Sequence, residues 1–205
     1  MRLTLHQEST PVPAVEYEAS RPRIQNGDVL LYRGRSWASR LVRWATRAKY
    51  SHAGLAVWWN DRLMVMEAVG KGVVVSPLSK NVRIYHGSVE WFTSVEAISP
   101  DDRLRMCAFA QQELGKEYAL SRALVLGFRV LLQRDVEARD RRRREGRLFC
   151  SHYVAATYNA VGRDLKKGVS DRFMSPGDIA SSALLRRVGV LWKRSVRADL
   201  PRLPP

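Results

Sequence analysis

The chain has 205 residues, 45% of them apolar, with nine Pro and thirteen Gly. That suits one globular domain with modest additions and leaves no room for two full domains. Lys and Arg outnumber Asp and Glu by 35 to 20, a net charge of +15, which together with this composition excludes collagen, acidic disorder and a disulfide scaffold. Cys107 and Cys150 lie far apart without a C-x-x-C partner, so a four-cysteine zinc site is excluded and a reducing compartment is the simpler reading.

The first twenty residues hold Glu8, Pro11, Pro13, Glu16 and Glu18 but no apolar run of signal-peptide length. The longest apolar stretch, 123–132, is broken by Gly127 and Arg129. It falls short of the ~20 residues that a membrane span needs. The expectation is a soluble protein, cytoplasmic as synthesised, for which delivery to a cell wall would need a route other than general export.

Residues 1–26, rich in Pro, Glu and Ser, read as an extension without a core of its own, and the folded part is expected from Gly27 to 192, with a tail over 193–205. Residues 28–32 form a short buried strand. Ser36 then caps a helix with Trp37, Leu41, Trp44 and Ala48 on one face and Arg40, Arg43 and Arg47 on the other. Residues 53–59 and 63–69 are strand-like runs joined by Asn60-Asp61, 73–75 is a third strand, and 90–98 supplies another. Ser99-Pro100-Asp101-Asp102 is a strong helix start, with carboxylates at the positive end of the dipole. That helix runs to Gly115 with Leu104, Cys107, Ala110 and Leu114 at core spacing. A charged helix is expected across 121–145, another from Cys150 to Ala160, a capped start at Ser175-Pro176-Gly177-Asp178, and a last strand at 188–192. Strands gathered early and helices late predict an α+β domain.

The basic excess first suggests nucleic acid. Between 134 and 147, however, seven arginines are interleaved with four acids, the pattern of a solvated helix face. No zinc-finger spacing, RNA-binding aromatic signature or phosphate loop is present, and Gly70-Lys71-Gly72 lacks the rest of a dinucleotide fingerprint. Nucleic acid is therefore disfavoured, and no cofactor or metal is expected.

Cys150 stands where a loop hands over to a helix, and unpaired N–H groups and the helix dipole there favour thiolate. The alternative is a small buried hydrophobe. Cys107, mid-helix at core spacing, reads as structural. A nucleophilic cysteine needs an imidazole and a third group to orient it. His6 lies in the extension, His86 in a loop, and His152 points to a different side of the helix from Cys150. His52, at a strand start beside Ser51, remains. If Asn60-Asp61 form a two-residue turn, His52 faces Val69 and Glu67 is its diagonal neighbour; a register shift of one residue on each strand puts Glu67 directly opposite. Either way the two share a sheet face, within reach of their side chains. Glu67 is the only charged residue between Leu63 and Gly70. An acid there either faces solvent at the rim or meets a partner.

Tyr50-Ser51-His52-Ala53-Gly54-Leu55, Met66-Glu67-Ala68 with Gly72-Val73, and Phe149-Cys150-Ser151-His152-Tyr153-Val154 together resemble the permuted papain-like cysteine hydrolases of the NlpC type, in the branch of YiiX-like amidases. Gly27-Asp28-Val29, Gly115-Lys116-Glu117-Tyr118 and Ser175-Pro176-Gly177-Asp178 extend the likeness over residues 27–182. The resemblance implies a circularly permuted papain-like fold in which a small antiparallel sheet carrying the histidine packs on the helix that bears the cysteine. It also implies Cys150 as nucleophile, His52 as general base and then acid, and Glu67 as orienting group, in a thiol hydrolase acting on amide bonds of peptidoglycan stem peptides or related small peptides. Relatives of the lecithin:retinol acyltransferase type act instead on acyl lipids. The arginine-rich stretch before Cys150 departs from the family pattern and resembles an insertion. A reading from another class is a basic module that docks on an anionic membrane, wall polymer or nucleic acid through Arg40, Arg43, Arg47 and the arginines of 141–144.

Overall fold

The computed structural model describes residues 17–69, 72–115 and 149–193. In chain order these form α1 (Tyr17–Ser20), a 3-10 turn (Arg21–Arg23), β1 (Val29–Gly34), α2 (Trp37–Thr46), β2 (His52–Trp59), β3 (Arg62–Val69), β4 (Gly72–Pro77), α3 (Leu78–Ile84), β5 (Gly87–Ser94) and α4 (Pro100–Gln112). After 116–148 come α5 (Phe149–Asn159), a second 3-10 turn (Asp171–Phe173), α6 (Pro176–Ala180) and β6 (Leu185–Lys193). The expected charged helix over 121–145 lies outside the described residues, as does 194–205. Among the described residues no helix is long and apolar enough to cross a membrane.

The architecture is α+β, built on one six-stranded antiparallel sheet of order β4-β3-β2-β1-β5-β6. Alternation along the strands gives each face its own core. Val29, Leu31, Ala53, Leu55, Met66, Ala68 and Phe92 pack on one face with Met106 and Ala110 of α4 and with Val154 and Tyr158 of α5. Leu30, Tyr32, Ala56, Val65, Val89 and Trp91 occupy the other with Leu78 and Val82 of α3.

Asp28 ties the strands to the entering chain. It is buried, and its carboxylate accepts from the Trp91 indole and the Thr93 hydroxyl, each at 2.8 Å, and from the Gln25 N–H at 3.0 Å. Burial raises its pKa against these hydrogen bonds and the nearby Arg103 charge, which lower it.

Three sequence expectations change. The folded unit begins before Gly27, because Ser20 and Ile24 are buried. Trp58 donates its indole N–H to the Ile24 carbonyl at 2.8 Å and its backbone N–H to Asn26 Oδ1 at 2.6 Å. The aromatic face of α2 is not buried: Ser36 caps the helix through the Ser39 N–H at 3.1 Å, yet Trp37 and Trp44 are 66% and 70% exposed. The helix lies at the end of the sheet, mainly against β1, and stops at Arg47 in a left-handed conformation with φ 48°. Leu104 of α4 is likewise exposed, and Met106 takes its place beside Cys107 and Ala110 in the core.

Replacing Asp28 by Ala leaves the Trp91 indole N–H buried without its acceptor. The expected loss is about 3 kcal/mol, read as a lower urea midpoint with an unchanged slope. A midpoint equal to wild type would remove Asp28 from the set of groups that hold the sheet.

Candidate active site

The β2–β3 hairpin has the register of a two-residue turn, with pairs running from Leu55↔Met66 to Trp59↔Arg62. Asn60 makes the turn at φ 53°, a left-handed conformation that Asn tolerates better than most side chains. Continued to the start of β2, this register sets Glu67 diagonal to His52. Gly54 stands between them on the same face. A Cβ at Gly54 would meet Val65 Cγ2 at 2.9 Å, the Met66 carbonyl at 3.2 Å and Glu67 Cβ at 3.4 Å. The absent side chain is what lets Glu67 lean toward the imidazole.

The contact is direct: His52 Nε2 lies 2.6 Å from Glu67 Oε2. Both side chains are mostly covered, at 23% and 13% exposure. The second carboxylate oxygen, Oε1, accepts from Asn81 Nδ2 of α3 at 3.1 Å. Tyr32, the β1 partner of His52, lays its ring beside the imidazole with centroids 5.3 Å apart. Carboxylate, amide and phenol ring together leave the imidazole little freedom to turn.

Cys150 comes from the other layer. α5 packs on β2 and β3, which brings its first turn to the start of β2. There the sulfur comes close enough to the His52 ring and the Ala53 backbone N–H for both to act on its ionisation. The Ser151 hydroxyl is 3.9 Å from it. With Nε2 held by Glu67, Nδ1 is the ring nitrogen left for the sulfur. Burial by itself would raise the thiol pKa, but the His52 charge, its hydrogen bond and the Ala53 N–H outweigh it and hold Cys150 below the usual thiol range. For His52 burial again opposes the charged form, and the Cys150 charge, the Cys150 hydrogen bond and the Glu67 carboxylate outweigh it, so its pKa is raised. The two shifts describe one pair, thiolate and imidazolium, titrating together.

The other expected roles fall as follows. Cys107 is buried in α4, where desolvation pushes its thiol up to about 11 against the lowering effect of Arg103. Cys107 and Cys150 are both free thiols. His86 is exposed in the loop before β5. His152 faces the neighbourhood of Asp171 and Glu113; burial is the main cause lowering its pKa. His6 lies outside the described residues. Sequence reasoning missed Asn81 and Tyr32. The β1–β2 register could have placed Tyr32 on the imidazole's face, whereas Asn81 arrives on a helix that has no capping side chain and starts after Pro77.

No family model and no curated protein matches the chain. Among solved structures it is similar to the metalloprotein YiiX of Escherichia coli O157:H7, with 23% identity and a TM-score of 0.60 over 82% of this chain and 98% of that one. The fold is therefore YiiX-like. The word metalloprotein describes that protein; among the described residues here no group of three or more His, Cys, Asp or Glu side chains is arranged to hold a metal ion.

A thiolate stabilised in this way reacts at neutral pH, whereas a thiol raised to about 11 does not. Iodoacetamide at pH 7 is expected to label Cys150 on the order of 10²-fold faster than Cys107. Replacing His52 by Ala removes the positive partner, so the labelling midpoint should move to higher pH. Peptide mapping with mass spectrometry measures both. Equal, slow labelling of the two cysteines would show that Cys150 is an inert core residue.

Proposed function

We propose that the chain is a cysteine hydrolase of the permuted papain-like type, cleaving amide bonds of small peptides, with peptidoglycan stem peptides as the substrate class that the sequence resemblance favours. What supports this reading is the His52–Glu67 contact, Nε2 to Oε2 at 2.6 Å, beside a sulfur at a helix start that is near enough to the ring for each to shift the other toward its charged form. A structural ion pair would not need a nucleophile at one end and an orienting carboxylate at the other.

In this mechanism the Cys150 thiolate attacks the amide carbon, forming the S–C bond. The oxyanion meets the Cys150 backbone N–H, one of the first-turn donors that has no partner within the helix. As the C–N bond breaks, the His52 imidazolium gives its proton to the leaving amine. His52, now neutral, takes a proton from water as the water oxygen attacks the thioester. The S–C bond then breaks, the acid leaves, and the thiolate is restored. Glu67 keeps its carboxylate on Nε2 throughout and stabilises the imidazolium. Asn81 and Tyr32 act as positioning residues by holding Glu67 and the ring.

Cys150→Ala is expected to abolish turnover of muropeptides, read as the disappearance of product pairs whose masses together exceed the substrate by one water. His52→Ala should cost roughly 10³-fold or more in kcat/KM, and Glu67→Gln less, because an amide can still orient the ring while Ala cannot accept the proton. Cys107→Ala should keep its turnover and lose about 1–2 kcal/mol of stability. Full activity in the Cys150→Ala protein would end the proposal.

A further inference from the structure

Away from Cys150, the described residues form a concavity of about 220 Å³. It is lined by Arg33 and Gly34 at the end of β1, Arg35, Arg43 of α2, and Gly87 and Ser88 at the start of β5. Three arginines line one space, and none of them makes an ion pair with a carboxylate of the described residues. The Nε–H of Arg43 is buried and has no hydrogen-bond partner. A buried cationic donor without an acceptor is expensive unless an anion completes it. The two glycines are closely packed: a Cβ at Gly34 would strike Ser39 Oγ and Tyr85 Oη, and one at Gly87 would strike the Arg33 carbonyl.

The pocket is coupled to the reacting groups by two short routes. The Gly34 N–H donates to Ser51 Oγ at 3.2 Å, and Ser51 precedes His52. Tyr85, which closes on Gly34, packs on Tyr32 at 5.0 Å between ring centroids, and Tyr32 packs on His52 at 5.3 Å. The two ring spacings keep Tyr85 within about 10 Å of the imidazole, about three residues of extended chain.

We propose that the cleft formed by Arg33, Arg35 and Arg43 binds an oxyanion of the substrate, a carboxylate or a phosphate. Planar guanidinium groups grip both anions through paired N–H bonds. The role as substrate subsite rests on the hydrolase reading, whereas the affinity for oxyanions does not.

The test has two arms on the full chain. In the first, the Arg43 Nε–H resonance of nitrogen-labelled protein is followed while inorganic phosphate and, separately, acetate are added. A saturating shift with a dissociation constant on the order of 1 mM for either anion is expected, and the tighter anion distinguishes a phosphate headgroup from a peptide carboxylate. Arg62, on the far hairpin, should not saturate. In the second arm, kcat/KM is compared for 4-nitrophenyl hydrogen azelate, which carries a distant carboxylate, and neutral 4-nitrophenyl nonanoate. A preference for the azelate on the order of tenfold is expected, and it should fall toward unity in Arg43→Gln and in Arg35→Gln; Arg35 is exposed, so the latter variant should fold even where the former does not. A shift at Arg43 that never saturates, or that Arg62 shares, overturns the anion site, as does an undiminished preference in both variants. A saturating shift with neither ester turned over keeps the oxyanion site and removes the hydrolase reading. Turnover of both esters without preference or shift does the reverse.

Discussion

The site turns on a sulfur and an imidazole brought together out of water, each shifting the other toward its charged form. Cys150 is 6% exposed and His52 only partly open, so each charge gives up hydration worth several kcal/mol. Neither would stay ionised alone. The Ala53 N–H, the first turn of α5 and the Glu67 carboxylate replace the lost water with fixed dipoles and charge. Such compensation works only while the donors stay in place, which calls for rigid support around them.

The sheet supplies that rigidity from both faces. α5 reaches the site from one side, locked by the Tyr158 hydroxyl on the Gly27 carbonyl at 2.9 Å and the Tyr153 hydroxyl on the Ala110 carbonyl at 3.0 Å. Tyr32, Glu67 and Asn81 reach it from the other. His52 opens β2, where the two layers meet. The chain leading into it is set by Ser51, whose N–H and hydroxyl both bond the Tyr32 carbonyl. It is also set by Gly177 of α6, where a Cβ would strike Ala48 Cβ at 2.7 Å. The Ser175–Asp178 capping box and the Lys166–Asp178 ion pair hold that helix start against the loop. The Ser175-Pro176-Gly177-Asp178 motif thus bears on the histidine, far from it in sequence.

Local chemistry made much of this legible. The hairpin register followed from a two-residue turn, and with it the shared face of His52 and Glu67. The helix starts at Ser36, Ser99 and Ser175 are capped as their side chains imply. Long-range placement was not legible. Nothing in residues 185–193 says that this strand pairs with β5, or that β1 sits between β2 and β5. The aromatic stripe of α2 misled because amphipathic periodicity says which residues share a face without saying that the face is covered. The entering segment misled for the opposite reason: its polar composition hides Ile24, which the second core buries through Trp58. Cys150 beside His52 joins two layers, a placement that no local pattern fixes and that rested on excluding the other histidines and on the resemblance to a family.

Cys107 and Cys150 separate burial from activation. Their exposures are nearly equal, 8% and 6%, yet one thiol is raised to about 11 and the other lowered. Desolvation acts on both in the same direction, so it cannot be the source of the difference. Cys107 lies in the middle of α4, where the backbone N–H groups bond within the helix, and its one charged neighbour, Arg103, is too weak an influence to offset burial. Cys150 has a first-turn position, a strand N–H and an imidazole whose charged form is favoured first by the sulfur itself and then by Glu67. Burial then works for the pair: with water excluded, the attraction between thiolate and imidazolium is less screened than it would be at the surface. The same low-dielectric site that raises an unpartnered thiol stabilises a partnered thiolate, and which outcome occurs is decided by the few groups that β2, β3 and α3 bring to His52.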